Sequence, residues 1–233
     1  MALTDWTQIG HSCVYCLNLV ILVVLVNRKT VLTAAHCIND IDLPANQYTV
    51  VLGLQRRSQL SSEISSGDAK AYDVESITVH PSFASSTKTD DIAVVKLSSK
   101  VELRNDIRLI RRLARNSDRF VGNSDCWISG FGWIDSVNGI LADNLQVANM
   151  DVVSQQACRE LRGDTVPGTV CLFNGFNEES GCAGDSGGPL VCRKGKEQVL
   201  LGLSSFGPKY CDSYTIYTSI AAHRPWLRSL GVK

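Results

Sequence analysis

The segment Gly184-Asp185-Ser186-Gly187-Gly188-Pro189-Leu190 sets the tightest limit on what this chain can become. It packs a nucleophile, backbone donors and glycine freedom into seven residues. A hydroxyl attacks a carbonyl only when its proton can leave and fixed donors meet the charge that develops on the substrate oxygen. Gly184 is free to adopt backbone angles closed to other residues, which lets its N–H and that of Ser186 point into one cavity as an oxyanion hole. Taken alone, the segment is equally a tight turn carrying an exposed serine. Residues upstream decide between the two.

Those residues are Thr33-Ala34-Ala35-His36-Cys37 and Thr89-Asp90-Asp91-Ile92-Ala93-Val94. A serine hydroxyl is a poor nucleophile near neutral pH unless a base of matching pKa takes its proton, and histidine is that base. With the motifs in the order His, Asp, Ser, the sequence resembles the chymotrypsin-like (trypsin-fold) serine protease family. The resemblance runs from about Val31 to Trp226 and continues in Val79-His80-Pro81, Ser129-Gly130-Phe131-Gly132, Val152-Val153-Ser154 and Ser204-Ser205-Phe206-Gly207.

Composition narrows the partners. Lys plus Arg equals Asp plus Glu at 23 each, so no net field draws the chain to nucleic acid or an anionic membrane. The nine cysteines lack a clean Cys-x-x-Cys pair of pairs, which favours disulfides over a zinc site and implies an oxidising compartment, here secretion. An odd count leaves one unpaired.

Along the chain, short runs rich in Val, Ile, Leu and Thr alternate with loops, the spacing of an all-β sandwich or barrel. The clearest predicted strands are Tyr48 to Leu52, Val74 to Val79, Ile92 to Leu97, Leu145 to Val153 and Val199 to Ser205. Leu17 to Val26 is almost wholly apolar but only about half the length of a membrane helix. It is read as a buried strand of the first barrel, with a signal or anchor segment and a mis-assigned start as the alternatives. Ser58 to Ala69 reads as an exposed polar loop, and Asn138-Gly139 and Asn174-Gly175 as turns. Arg104, Arg108, Arg111, Arg112, Arg115 and Arg119 form a basic stretch that reads as a solvated face, since no aromatic residues interleave to stack bases. Ala222 to Leu230 predicts a terminal helix anchored by Trp226, with Pro225 tolerable only near its first turn.

The resemblance implies an all-β fold of two six-stranded antiparallel barrels packed together, with a short C-terminal helix. It divides the chain into an atypical apolar segment 1–26, a first barrel 27–115 and a second barrel with the helix, 116–233. It makes Ser186 the nucleophile, His36 the general base and then acid, and Asp91 the group that orients the imidazole. Asp91 is chosen over Asp90 because the family aspartate precedes Ile; Asp90 is expected to face away, exposed. Gly184 and Ser186 supply the oxyanion hole, and Ser205 supports Asp91. His11, His80 and His223 are given no catalytic role. Activity is expected to rise with pH through an apparent pKa of roughly 6.5–7.

Ser180, Gly207 and Thr215 match family positions at the substrate pocket. Ser180 offers no countercharge to Lys or Arg, so a medium or large apolar side chain is expected. Leu54 stands where calcium-binding members carry Glu, and neither a metal nor a cofactor is expected. Implied disulfides join Cys126 with Cys192, Cys158 with Cys171 and Cys182 with Cys211, leaving Cys13, Cys16 and Cys37 to share one bond or none. Ile21, Leu22 and Val23 stand where the family has Cys-Gly-Gly. The implied partners are protein or peptide substrates and protein protease inhibitors, acting on a monomer without nucleic acid or membrane.

Two functions compete on this reading: an endopeptidase acting through an acyl-enzyme, and a catalytically silent homologue acting as a binding module. In the family a freshly cut N-terminal amine enters the interior and pairs with the aspartate beside the nucleophile, Asp185 here. The chain as written lacks an Ile-Val-Gly-Gly-like start, so Asp185 is expected to turn outward and leave the chain poorly active.

Overall fold

The computed structural model describes residues 12–16, 19–39, 43–110, 112–176 and 178–233. The first barrel closes on six strands: β1 (Ser12–Cys16), β2 (Leu19–Asn27), β3 (Thr30–Thr33), β4 (Thr49–Leu52), β5 (Lys70–Val79) and β6 (Ala93–Leu97), in the order β1-β2-β3-β6-β5-β4. β2 explains the long apolar run. Ile21, Val23 and Leu25 point into the barrel core, whereas Val24 and Leu22 reach the opposite side, against the second barrel and against Phe131. A strand buried on both faces is continuously apolar rather than alternating. The first barrel therefore begins inside the segment set apart as 1–26.

The second half contains β7 (Arg112–Leu113), β8 (Cys126–Gly130), the hairpin β9 (Trp133–Asp135) and β10 (Ile140–Leu141), β11 (Gln146–Asn149), β12 (Val152–Val153), β13 (Thr169–Leu172), β14 (Pro189–Lys194), β15 (Glu197–Phe206) and β16 (Thr215–Ser219). β11 pairs with β8 and β12 pairs with β13. Only Met150 and Asp151 separate β11 from β12, so as one bent strand they close a second ring through β8, β14, β15, β16 and β13. The short β7 adds a parallel pairing to β15. Between the barrels lies a shared apolar layer that includes Val24, Leu32, Ile92, Val94, Leu200 and Leu203, and both catalytic motifs upstream of Ser186 are anchored in it.

Three disulfides hold the second half: Cys126–Cys192, Cys158–Cys171 and Cys182–Cys211. The last ties the serine loop to the segment before β16. Cys37 is free and buried, and it belongs to the same apolar core as Ile21, the residue that stands where the resemblance implies a cysteine. The side chains of Cys13 and Cys16, and the whole of His11, lie outside the described residues.

Three local expectations are corrected. Ser58 to Ala69 is not a loop: residues Leu60–Ser66 form a helix, because the Glu63 carboxylate is buried and accepts the N–H groups of Gln55 (2.9 Å) and Arg56 (3.0 Å), tying the turn before it. Asp90 is not turned to solvent but bonded to His223 Nε2 at 2.9 Å. Pro225 sits inside the C-terminal helix Ile220–Ser229, beyond its first turn, and the hydrogen bond it cannot donate is offset by burial of Ile220 and Leu227 between the barrels. Of the basic stretch, Arg104 donates to Gly67 O and Asp68 O, Arg112 pairs with Asp118 and Glu197, and Arg119 donates to Asn116 O; Arg111 lies outside the described residues. Among the described residues no helix is long and apolar enough to cross a membrane.

Candidate active site

His36 opens a short helix, His36–Asn39, directly after β3, and Asp91 precedes β6, the strand paired with β3. That pairing brings the two together. Asp91 is fully buried; one carboxylate oxygen accepts the His36 N–H at 2.8 Å and the other lies 2.7 Å from His36 Nδ1. The Ser205 hydroxyl donates to the same oxygen, and Thr218 Oγ1 donates to the Asp91 carbonyl at 2.9 Å. Burial alone would raise the Asp91 carboxyl, but the hydrogen bond and charge of His36, with Ser205, hold it below the usual carboxylate range. With Nδ1 donating to Asp91, Nε2 is left as the nitrogen that can accept a proton.

Ser186 follows Gly184 and Asp185 on the turn before β14. Gly184 has φ +98°, a backbone that side chains rarely adopt, and a Cβ there would lie 3.0 Å from Gly132 Cα, so the position favours glycine. Asp185 N–H is used by Cys182 O and Gly187 N–H by Ser204 O. The N–H groups of Gly184 and Ser186 meet no acceptor among the described residues, which is the condition an oxyanion hole requires.

Two features were not legible beforehand. The Asp185 carboxylate is turned inward, correcting the expected outward turn: Gly132 N–H (2.8 Å) and Cys182 N–H (2.9 Å) replace water around it. A Cβ on Gly130 would fall 1.9 Å from one carboxylate oxygen and one on Gly132 2.4 Å from the other, which gives the Ser-Gly-Phe-Gly motif a steric reason. Burial, against those two N–H bonds, pushes the Asp185 pKa up to about 6, and among the described residues no cation faces it. Second, no hydrogen bond joins Ser186 Oγ to His36 among the described residues; Cys37 Sγ lies 3.6 Å from His36 Nε2 instead. Burial lowers the His36 pKa, but the Asp91 bond and then the Cys37 contact outweigh it and raise it to about 10, not the 6.5–7 expected.

A histidine base works in its neutral form, so activity rises as pH climbs through that pKa. Removing the thiol should move the rise to lower pH. Cys37→Ala is therefore expected to increase turnover at pH 7 by about tenfold for each unit of downward shift. Rate against pH for both proteins checks this; superimposed profiles would show that Cys37 does not compete for Nε2.

Ser180 Oγ donates to Cys211 O at 2.5 Å. Ser180 also lines a cavity of about 320 Å³ shared with Gly130, Gly132, Gln146, Asp185 and Tyr210. Thr215 is buried and donates to Gly181 O at 3.2 Å, and Gly207 abuts Tyr214 O and Thr215 Cα. The three pocket residues are thus contiguous through Gly181, although only Ser180 faces that cavity. Leu54 is buried beside Leu22, Val51 and Phe131.

A family model described as Trypsin matches residues 23–227. Chymotrypsin-like elastase family member 1 of Bos taurus is 32% identical over 213 residues, 88% of this chain and 76% of that protein. Granzyme M of Rattus norvegicus is 30% identical over 213 residues, 89% of this chain and 78% of its own length. Kallikrein-4 of Homo sapiens is 32% identical over 208 residues, 88% and 74% respectively. The solved structure of neuropsin, a serine protease expressed in the limbic system of mouse brain, superposes with a TM-score of 0.80 at 26% identity over 98% of this chain and 96% of that one. The buried Asp91 beneath His36, the Gly184 and Ser186 N–H groups that meet no acceptor among the described residues, and this agreement over nearly the whole chain place it in the trypsin family, as a serine endopeptidase.

Proposed function

We propose that the chain cleaves peptide bonds through an acyl-enzyme on Ser186, after medium or large apolar residues, in a secreted, oxidising setting. The observation that carries this reading is the Asp91–His36 pair, held from three sides inside the protein, with Nδ1 turned to the carboxylate and Nε2 on the far edge of the ring. Ser186 Oγ attacks the carbonyl as His36 Nε2 takes its proton. The N–H groups of Gly184 and Ser186 receive the oxyanion, and His36 then protonates the leaving amine. Asp91 stays ionised and stabilises the imidazolium. The partners are protein or peptide substrates, and protein protease inhibitors that mimic them, on a monomer; nucleic acid, membrane and cofactor play no part in the step.

Support for apolar specificity comes from Ser180 and Thr215, whose hydroxyls are both committed to backbone carbonyls and carry no charge. Ser180 itself gives a buried substrate Arg or Lys no countercharge; of the carboxylates that line the same cavity, Glu178 and Glu179 are exposed and Asp185 is committed to the Gly132 and Cys182 N–H groups. On a peptide panel varying the residue before the cut, Leu, Met and Phe should exceed Arg and Lys by at least about tenfold in kcat/KM, the scale of roughly 1.4 kcal/mol of differential binding. Cleavage confined to Arg would overturn the pocket reading, and cleavage confined to Ala and Val would show that Thr215 closes it further. The silent binding module is the second reading. It draws on the thiol at His36 Nε2 and on Asp185, which no cation faces among the described residues.

A further inference from the structure

Next to the catalytic carboxylate, on a cleft that Ser186 does not line, lies a second group of ligating side chains. His80 follows β5 and is fixed there by its N–H bond to Ile92 O (3.0 Å). Asp90 immediately precedes Asp91 and adopts a left-handed backbone with φ +50°. His223 projects from the C-terminal helix and is buried, while the other two are half-buried. One ring nitrogen of each histidine and one carboxylate oxygen of Asp90 lie within 4.8 Å of one another. A cleft of about 310 Å³, lined also by Thr89, Pro167 and Trp226, leads to them.

We propose that His80, Asp90 and His223 form a binding site for Zn²⁺ or a similar first-row divalent cation, distinct from the peptidase centre. His223 carries the argument furthest. Its Nδ1 lies 2.7 Å from Ser219 O and must donate to it, which fixes the ring and presents Nε2 to Asp90 Oδ1 at 2.9 Å. A histidine whose far N–H is held by a backbone carbonyl is the usual form of a metal ligand. Two imidazoles and one carboxylate suit zinc rather than calcium or magnesium, which take oxygen donors. A tetrahedral zinc with bonds of about 2.0–2.1 Å sets its donors about 3.3 Å apart. The His223–Asp90 pair opens by a few tenths of an ångström, and His80, edge-on to His223 with ring centroids 5.4 Å apart, moves in. Ligation through His80 Nε2 places that ring's proton on Nδ1, so the 3.2 Å bond from Ser82 N–H is given up. Water from the cleft supplies the fourth donor. An ion held there ties the turn that carries Asp91 to the end of β5 and to the C-terminal helix.

The test uses full-length Ser186→Ala protein, which does not digest itself, titrated with Co²⁺ and then Zn²⁺. Expected are one Co²⁺ per chain with the visible absorption of a four-coordinate site, displacement by Zn²⁺, and a thermal midpoint that rises with Zn²⁺. His80→Gln, Asp90→Asn and His223→Ala should each weaken Co²⁺ binding about 10–100-fold or more and remove the thermal shift. His80→Gln is half-buried and keeps its shape, so its loss of binding stands even if His223→Ala fails to fold. Cys37→Ala should bind as before. Equal uptake by the parent and the His80→Gln/Asp90→Asn double variant would overturn the site. So would loss of the spectrum on Cys37→Ala alone, which would assign the ion to the Cys37–His36 pair.

Discussion

Ser186→Ala should lower turnover by about 10⁶-fold, the scale found when the nucleophile of a triad enzyme is removed, while leaving the fold and the thermal midpoint unchanged. The two halves of that expectation rest on different observations. Turnover falls because the hydroxyl is the atom that becomes acylated, and His36 and the two free N–H groups act as a unit with it. Stability stays because Ser186 Oγ makes no hydrogen bond among the described residues, so its loss strands no partner. Asp91→Asn should behave oppositely in the second respect. Its carboxylate accepts from the His36 N–H, His36 Nδ1 and Ser205, and an amide cannot accept from all three, so both activity and midpoint should drop. The measurements are kcat on an apolar peptide ester and thermal denaturation of both variants. Wild-type protein that turns over no faster than Ser186→Ala would favour the silent binding module.

How much of this was visible beforehand depends on the reach of each signal. The serine loop and the histidine and aspartate motifs were legible because each is a short, chemically unusual string, and the three cross-links of the second half followed only from the family resemblance those strings carry. The strands were legible where β-branched runs met turn residues, as at β4 and β15. Ser58 to Ala69 was misjudged because its serines read as solvated loop, whereas the cause of the helix is one buried carboxylate, Glu63, serving two N–H groups earlier in the chain. Asp90 was placed in solvent because its partner, His223, lies 133 residues away, and only the packing of the C-terminal helix on the first barrel brings them together. Likewise Cys37 gained its contact with His36 Nε2 from local backbone geometry that no motif encodes.

An amine supplied to Asp185 should raise the fraction of chains whose site works. In the trypsin family that partner is a freshly cut N-terminus, and here the carboxylate lies on the cavity of about 320 Å³ that Gly130, Gly132 and Gln146 also line. Because its folded pKa of about 6 lies above the ordinary 3.8, the stability it contributes is present below pH 3.8 and lost as pH rises through about 6. At pH 7 the carboxylate is mostly ionised and among the described residues is met by two peptide N–H groups and no cation, and a buried charge without its partner costs about 3–5 kcal/mol. An α-amino group of pKa about 7.7–8 is still charged at that pH. The dipeptide Ile-Val should therefore raise both the thermal midpoint and the fraction of chains that react stoichiometrically with an active-site acylating reagent, while N-acetyl-Ile-Val does neither. Asp185→Asn should abolish the response to the amine, and Ser186→Ala should abolish acylation but keep the rise in midpoint, which separates failure of this switch from failure of the nucleophile. Equal acylation with and without the dipeptide, at every concentration up to tens of millimolar, would show that the two N–H groups already hold Asp185 in the working arrangement and that no amine is needed.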